Sequence, residues 1–229
     1  MVLTVVGLGL LTWFVVRQSR VPRPLIDVRY LRNRLLATCL VALFAVQFAV
    51  LASMIALVHY LEHAMGETTV VAGLVVAVAG IFTPILSTVT GRGADHRGAR
   101  PLVVGGLALA TVGLAAVAIA APAVDLGRLL PGLLVFSLAR PAIFTPASVG
   151  PFATLPHADR AFAASLVTEA RQLGAVIGVA VAGLAADLVG GPAPSTAIAG
   201  FAATMWVIVG LSAVAAAVTA RWMPGVKNP

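Results

Sequence analysis

Three charged side chains, Arg140, Glu169 and Arg171, stand within stretches that are otherwise almost wholly apolar. In lipid a helix-embedded charge costs about 2.5–3.5 kcal/mol on insertion scales, so each of these residues is a candidate for function. Counting from the ends of their apolar stretches at ~1.5 Å per helical residue puts Arg140 and Glu169 at similar depth in consecutive antiparallel helices. A carboxylate that alternates between a guanidinium neighbour and an open cavity can take up and release a proton. The chemistry expected is therefore proton coupling, with Glu169 paired to Arg140 or Arg171 in one state and exposed in another. The plainer alternative is a static pair that only neutralises charge.

A second constellation, His59, Glu62 and His63, fits H-x-x-E-H and puts two imidazoles on one helical face, a spacing that zinc sites use. It stands at the end of an apolar stretch with nothing obvious to supply a further ligand, so no metal is assigned. Cys39 is the single cysteine, which excludes a disulfide framework and a cysteine-based metal site. No phosphate-cradling glycine motif is present and no catalytic set is assigned, so an enzyme is not expected.

The elements that must hold these residues follow from composition. Of 229 residues 60% are hydrophobic and 10% charged, against about 25% charged in soluble domains. A water-soluble core of this size cannot hide that much apolar surface, so lipid is the medium. Apolar stretches lie at about 1–16, 35–61, 69–91, 101–124, 126–150, 161–189 and 196–222. Most exceed the ~20 residues a helix needs to cross the hydrocarbon core. They show no period-2 alternation, which excludes a barrel. The fold class expected is all-α, a polytopic bundle of about seven transmembrane helices.

The net charge of +7 would suggest nucleic acid in a soluble protein, but the basic residues gather in short loops between the stretches. With 17–34 cytoplasmic, the segments on that side carry twelve of the fifteen basic residues and the opposite side only Arg128. This predicts an outward N-terminus and a cytoplasmic C-terminus. Arginine supplies fourteen of the fifteen basic residues and Ala, Val and Gly abound, a bias of GC-rich bacterial genomes. An odd number of spans and an outward N-terminus without a translocation signal point to truncation.

Gly91-Arg92-Gly93-Ala94-Asp95-His96-Arg97-Gly98-Ala99-Arg100 resembles the G-x-L-A-D-R-x-G-R-K loop of the major facilitator superfamily, with departures at Gly93 and His96. Its glycines permit a tight cytoplasmic turn, and Asp95 can face the positive N-terminus of the next helix. Pro24-Leu25-Ile26-Asp27-Val28-Arg29 with Arg32-Asn33-Arg34 resembles the lead-in to the ninth span of EmrB/QacA-type fourteen-span drug:proton antiporters. Tyr60-Leu61-Glu62-His63-Ala64-Met65-Gly66 is similar to that family's Y-L-Q-x-x-x-G. Arg171-Gln172-Leu173-Gly174 with Gly178 and Ala180 is similar to its R-Q-L-G-x-x-x-G-x-A.

The resemblance covers essentially the whole chain. It implies the tail of the eighth span at 1–16, a basic cytoplasmic lead-in at 17–34, a six-helix C-terminal transporter half at 35–222 and a cytoplasmic tail at 223–229. The missing N-terminal half, or a second chain, would supply the family's antiporter signature and its coupling carboxylates. Function is then proton-coupled efflux of drugs or other amphipathic molecules, cations among them, across a bacterial inner membrane. The proton gradient replaces any cofactor, and lipid and cargo are the partners, with no nucleic acid. By the superfamily's architecture, Thr38, Gln47, Ser53, Phe136, Ser137 and Thr145 face the cavity, while Gly91, Asp95, Arg97, Gly98 and Arg100 form a cytoplasmic gate. The family tends to have glycine near position 140, so Arg140 is a departure that narrows the cavity or favours an anionic cargo. Gly174 and Gly178, within a stripe of small residues at every fourth position, are assigned to helix packing. Two readings remain beside this one: a truncated chain that transports nothing, and a membrane-anchored scaffold or binding protein.

Overall fold

A computed structural model of the chain describes residues 33–77, 80, 87–88, 90, 98–153, 155–188 and 193–224. Five long helices dominate: α1 (Arg34–His63), α2 (Ala99–Ala120, extended by a 3₁₀ turn at Ala121–Ala123), α3 (Leu126–Ala153), α4 (His157–Leu188) and α5 (Pro194–Trp222). A further helical stretch, 69–77, follows α1. The fold is all-α, a membrane helical bundle, and each of the five helices is long and apolar enough to cross a bilayer. At 25 to 30 residues the candidate spans reach about 37–45 Å, more than the ~30 Å hydrocarbon core. Of the seven spans expected, 1–16 lies outside the described residues, as does most of the 17–34 lead-in, and 69–91 is described only in part.

Local chemistry sets the helix ends. The Asn33 side chain accepts from the Leu35 and Leu36 N–H groups at 3.0 and 3.4 Å, satisfying donors that the first turn of α1 leaves open. At the other end Gly66, with φ +70°, turns the chain so that the Glu67 N–H reaches the Leu61 carbonyl at 3.0 Å. Pro194 opens α5 in the first turn, where its missing N–H is harmless. Inside α3 four prolines, Pro131, Pro141, Pro146 and Pro151, each withhold a helical hydrogen bond.

Two close helix contacts organise the bundle. α2 and α3 run antiparallel: a methyl group added at Gly113 would meet the Phe136 nitrogen at 2.7 Å, and one at Gly132 would meet Val117 at the same distance. α1 and α4 run parallel, with Gly174 against the Phe44 backbone and Gly178 against that of Phe48. Small residues at such crossings let backbones approach, which is how helices gain dispersion contacts in lipid. α5 packs against α1 and α2. Tyr60, Leu61, Leu107, Leu114, Leu129, Ile143, Met205 and Ile208 fill the interior, while Val112, Ile119, Val176, Ile177, Trp206 and Val214 cover the outside. An exterior this apolar suits lipid.

Cross-links fix which ends lie together. The Tyr60 hydroxyl donates to the Ala121 carbonyl at 2.7 Å and its ring stacks on Phe201, joining the end of α1 to the end of α2 and the start of α5. At the opposite end Arg100 donates to the Ala220 carbonyl at 2.7 Å. Alternating directions gather Arg34, Arg100, Arg160 and Arg221 at one end and leave Arg128 at the other.

Candidate cavity and intramembrane charges

Midway through the bundle, α1, α3 and the residues Val76 and Gly80 line an open cavity of about 240 Å³. Val50, Met54, Leu57, Val76 and Leu133 make its walls apolar, Phe136 adds a ring, and Ser53, Ser137 and Arg140 are its polar members. Arg140 stands at the middle of the 28-residue α3, about 20 Å from either end at 1.5 Å per residue. An arginine side chain cannot span that distance to water at either surface, so it must be served where it lies. Among the described residues no hydrogen bond or ion pair holds its guanidinium. Next to it, Pro141 has no N–H to offer the Ser137 carbonyl four residues back, which deprives that acceptor of its usual helical donor.

The six residues expected to face cargo divide. Ser53, Phe136 and Ser137 line this cavity together with Arg140, whereas Thr38, Gln47 and Thr145 do not. Thr38 is buried with its hydroxyl donating to the Arg34 and Leu35 carbonyls at 2.7 and 3.0 Å. Gln47 and Thr145 are half-buried.

Glu169 does not pair with Arg140 or Arg171 among the described residues; an ion pair joins Arg128 and Asp125 at 3.5 Å. Helices consecutive in sequence need not be neighbours in space. In the structure α4 instead lies along α1, drawn there by Gly174 and Gly178, and barely meets α3. Arg171 reaches toward α3, its guanidinium carbon 4.6 Å from the centre of the Phe144 ring, a cation–π geometry. Its buried Nε has no hydrogen-bond partner. Glu169 faces outward with Ser165, Thr168 and Gln172, all exposed. The spacing i, i+3, i+4, i+7 makes these four a single stripe.

The profile of the Major Facilitator Superfamily matches residues 1–179. The chain belongs to the Major Facilitator Superfamily. That places it in a family of transporters rather than enzymes. It is similar to the lincomycin resistance protein LmrB of Listeria monocytogenes, with 27% identity over 177 residues, 77% of this chain and 37% of that protein. The LmrB of Bacillus subtilis is 31% identical over 108 residues, 47% of this chain and 22% of that protein. A multidrug resistance protein B homolog of Mycobacterium tuberculosis is 26% identical over 180 residues, 77% of this chain and 33% of that protein. The chain thus aligns with about a third of the length of the relatives that match most of it.

Of the superfamily loop, Gly91, Asp95 and Arg97 lie outside the described residues. Gly98 sits at φ +81°, ψ +161°, just before α2, a conformation open essentially only to glycine, and Arg100 ties α2 to the end of α5. In the H-x-x-E-H stretch, His59 and His63 stack with ring centres 4.1 Å apart, while Glu62 accepts from the Thr69 hydroxyl at 2.8 Å. That glutamate is engaged in joining the end of α1 to the next helical stretch. Sequence reasoning missed the outward stripe on α4, although its helical spacing was there to read. It also missed Met54, Leu57 and Leu133 as walls, since an aliphatic side chain in a membrane helix carries no mark of which way it faces.

Proposed function

We propose that this chain is part of an exporter of amphipathic, drug-like small molecules in the bacterial cytoplasmic membrane, driven by protons. The observation that carries this reading is the cavity at mid-depth, with aliphatic walls, an aromatic ring and a few convergent polar groups. Ligand sites between membrane helices have that composition. The drug-resistance names of the relatives point the same way.

The exposed stripe Ser165, Thr168, Glu169, Gln172 supports a path that extends beyond the described helices. Facing lipid, Glu169 would carry a penalty of about 2.5–3.5 kcal/mol; facing water or a further set of polar helices, it would not. We assign that face of α4 to the translocation path, with the remaining helices supplied from outside this sequence. In this reading 35–222 is the C-terminal transporter half, 1–16 a preceding span, 17–34 a basic cytoplasmic lead-in and 223–229 a cytoplasmic tail. The loop with Gly91, Asp95, Arg97, Gly98 and Arg100 acts as cytoplasmic gate, and Glu169 carries the coupling proton.

A chimaera tests this: the matching segment of Listeria monocytogenes LmrB is replaced by this chain and a fluorescent dye is added outside everted vesicles. Dye accumulation should follow an imposed proton gradient, collapse with a protonophore, and fall about tenfold or more in Glu169→Gln. Accumulation indifferent to the gradient refutes the exporter reading, and full activity in Glu169→Gln refutes the role of that carboxylate. The chain alone in vesicles should move no dye.

A further inference from the structure

We infer that the cavity at Arg140 binds an amphiphilic anion: a soluble carboxylate with a compact aromatic or branched apolar body. This deepens the exporter reading by naming the class of cargo, and it rests on that reading for the word cargo but not for binding.

The Arg140 guanidinium sets the demand. It is planar, permanently charged and carries five N–H donors, so it asks for an acceptor of matching shape, and a carboxylate meets it with two parallel hydrogen bonds. Nothing described in the chain fills that role. Glu62, Glu67, Asp125, Asp159 and Asp187 all sit at helix ends, far from the middle of α3. Glu169, the remaining described carboxylate, lies on the outward face of α4, a helix packed on α1. The cavity walls contribute no other charge: beside Arg140 its lining residues are neutral, and its polar surface is limited to serines. Ser137 stands one helical turn from Arg140 and can donate its hydroxyl to the same acceptor. Ser53 is committed, its hydroxyl donating to the carbonyls of Ala49 and Val50.

What remains of the cavity is apolar and specifies the rest of the ligand. Phe136 contributes aromatic surface, and Met54 and Leu57 supply flexible and branched surface that adapts to a flat body. A volume of about 240 Å³ falls below the roughly 300–1,000 Å³ of drug-sized sites, which favours a small acid over an extended one. A cationic cargo would meet an unneutralised guanidinium across a low-dielectric space, so the site discriminates by charge. Free acids are preferred to lipid phosphates because Arg140 stands about 20 Å from either end of its helix, beyond the depth of headgroups.

The test uses the full chain in nanodiscs of neutral phosphatidylcholine, with radiolabelled 2-naphthoate as the probe and 2-naphthamide as its uncharged counterpart. Naphthoate should bind saturably, weaken about tenfold or more in Arg140→Gln, and recover in part in Arg140→Lys. Naphthamide should show no saturable binding. Protection of Cys39 from maleimide, equal to that of the parent chain, certifies that the variants are folded. Unchanged naphthoate affinity in a folded Arg140→Gln, or equal binding of naphthamide, overturns the proposal. Competitive loss of naphthoate on replacing phosphatidylcholine by phosphatidylglycerol moves the site to lipid headgroups and overturns the assignment to a soluble acid. Binding with no gradient-driven export in the chimaera would remove the exporter reading and leave the anion site standing; export with no naphthoate binding would do the reverse.

Discussion

Gly178→Ala adds one carbon where the structure has no room for it. A methyl group built there stands 2.6 Å from the Phe48 carbonyl oxygen, and ordinary contact begins at 3.4 Å, so α1 and α4 must part by about 0.8 Å. Overpacking of this kind costs about 1–3 kcal/mol. Part of that is masked, because alanine is the better helix former by about 0.8–1.0 kcal/mol. Gly183→Ala supplies the reference: it lies in the same helix, gains the same propensity and has nothing within 4 Å to collide with. The two variants should therefore differ by about 1–3 kcal/mol, all of it from the α1–α4 contact. Cys39 offers the assay, since it is the only cysteine and is fully buried in α1. Reaction with a thiol-selective fluorophore requires the bundle to open, and when opening equilibrates quickly the rate scales with the open population. Gly178→Ala should label roughly 5- to 150-fold faster than Gly183→Ala in the same detergent. Equal labelling rates would mean that the two helices are not in backbone contact at this position, and the packing argument would fail.

The same readout tests two more positions. Tyr60→Phe keeps the stack on Phe201 but removes the 2.7 Å hydrogen bond to the Ala121 carbonyl, leaving that acceptor only the 3.4 Å contact from Val124; a loss of about 1 kcal/mol is expected, and unchanged Cys39 labelling would refute it. Gly98→Ala forces a side chain into φ +81°, ψ +161° and should destabilise by about 1–3 kcal/mol, checked by comparison with Gly105→Ala, where nothing lies within 4 Å. Orientation is checked with single cysteines at 128 and 221 in a chain lacking Cys39. An impermeant maleimide applied to intact cells should label Arg128→Cys and spare Arg221→Cys; the opposite pattern inverts the topology.

Helix existence was legible because length and apolarity alone decide it in lipid. The stretches at about 101–124 and 126–150 became α2 with its 3₁₀ turn and α3, with ends shifted by a few residues. α4 starts at His157, ahead of the apolar stretch, because the helix continues past the lipid boundary and takes Asp159 into its first turn, where a negative charge suits the helix dipole. Partnership between helices was far less legible. The stripe at Gly174 and Gly178 signalled a close contact but could not say with whom, and the answer, the backbone of Phe44 and Phe48 in α1, depends on the whole bundle. The contact of Gly113 with Gly132 gave no signal, since the two glycines are far apart in sequence and neither belongs to a four-residue repeat. Chain order was then the only guide to neighbours, and it put Glu169 beside Arg140.

Polar residues inside these helices divide by whether their own backbone can satisfy them. Thr111, Thr204 and Thr219 each donate to the carbonyl four residues back, at 2.8, 2.9 and 2.6 Å, as Thr38 and Ser53 do with their own helix. A hydroxyl closed in this way needs no ligand and no neighbour, so its presence in a span says little about a site. A guanidinium has five donors and a carboxylate accepts at two oxygens, and a helix whose backbone groups are already paired cannot serve either. Arg140, Glu169 and Arg171 must therefore look beyond their own helices, and the structure gives them three different answers. Arg171 takes the face of Phe144, Glu169 turns outward with a polar stripe, and Arg140 opens into a cavity with a serine beside it. The demand for a partner made these three positions readable in the sequence; which partner each obtains is a property of the packing.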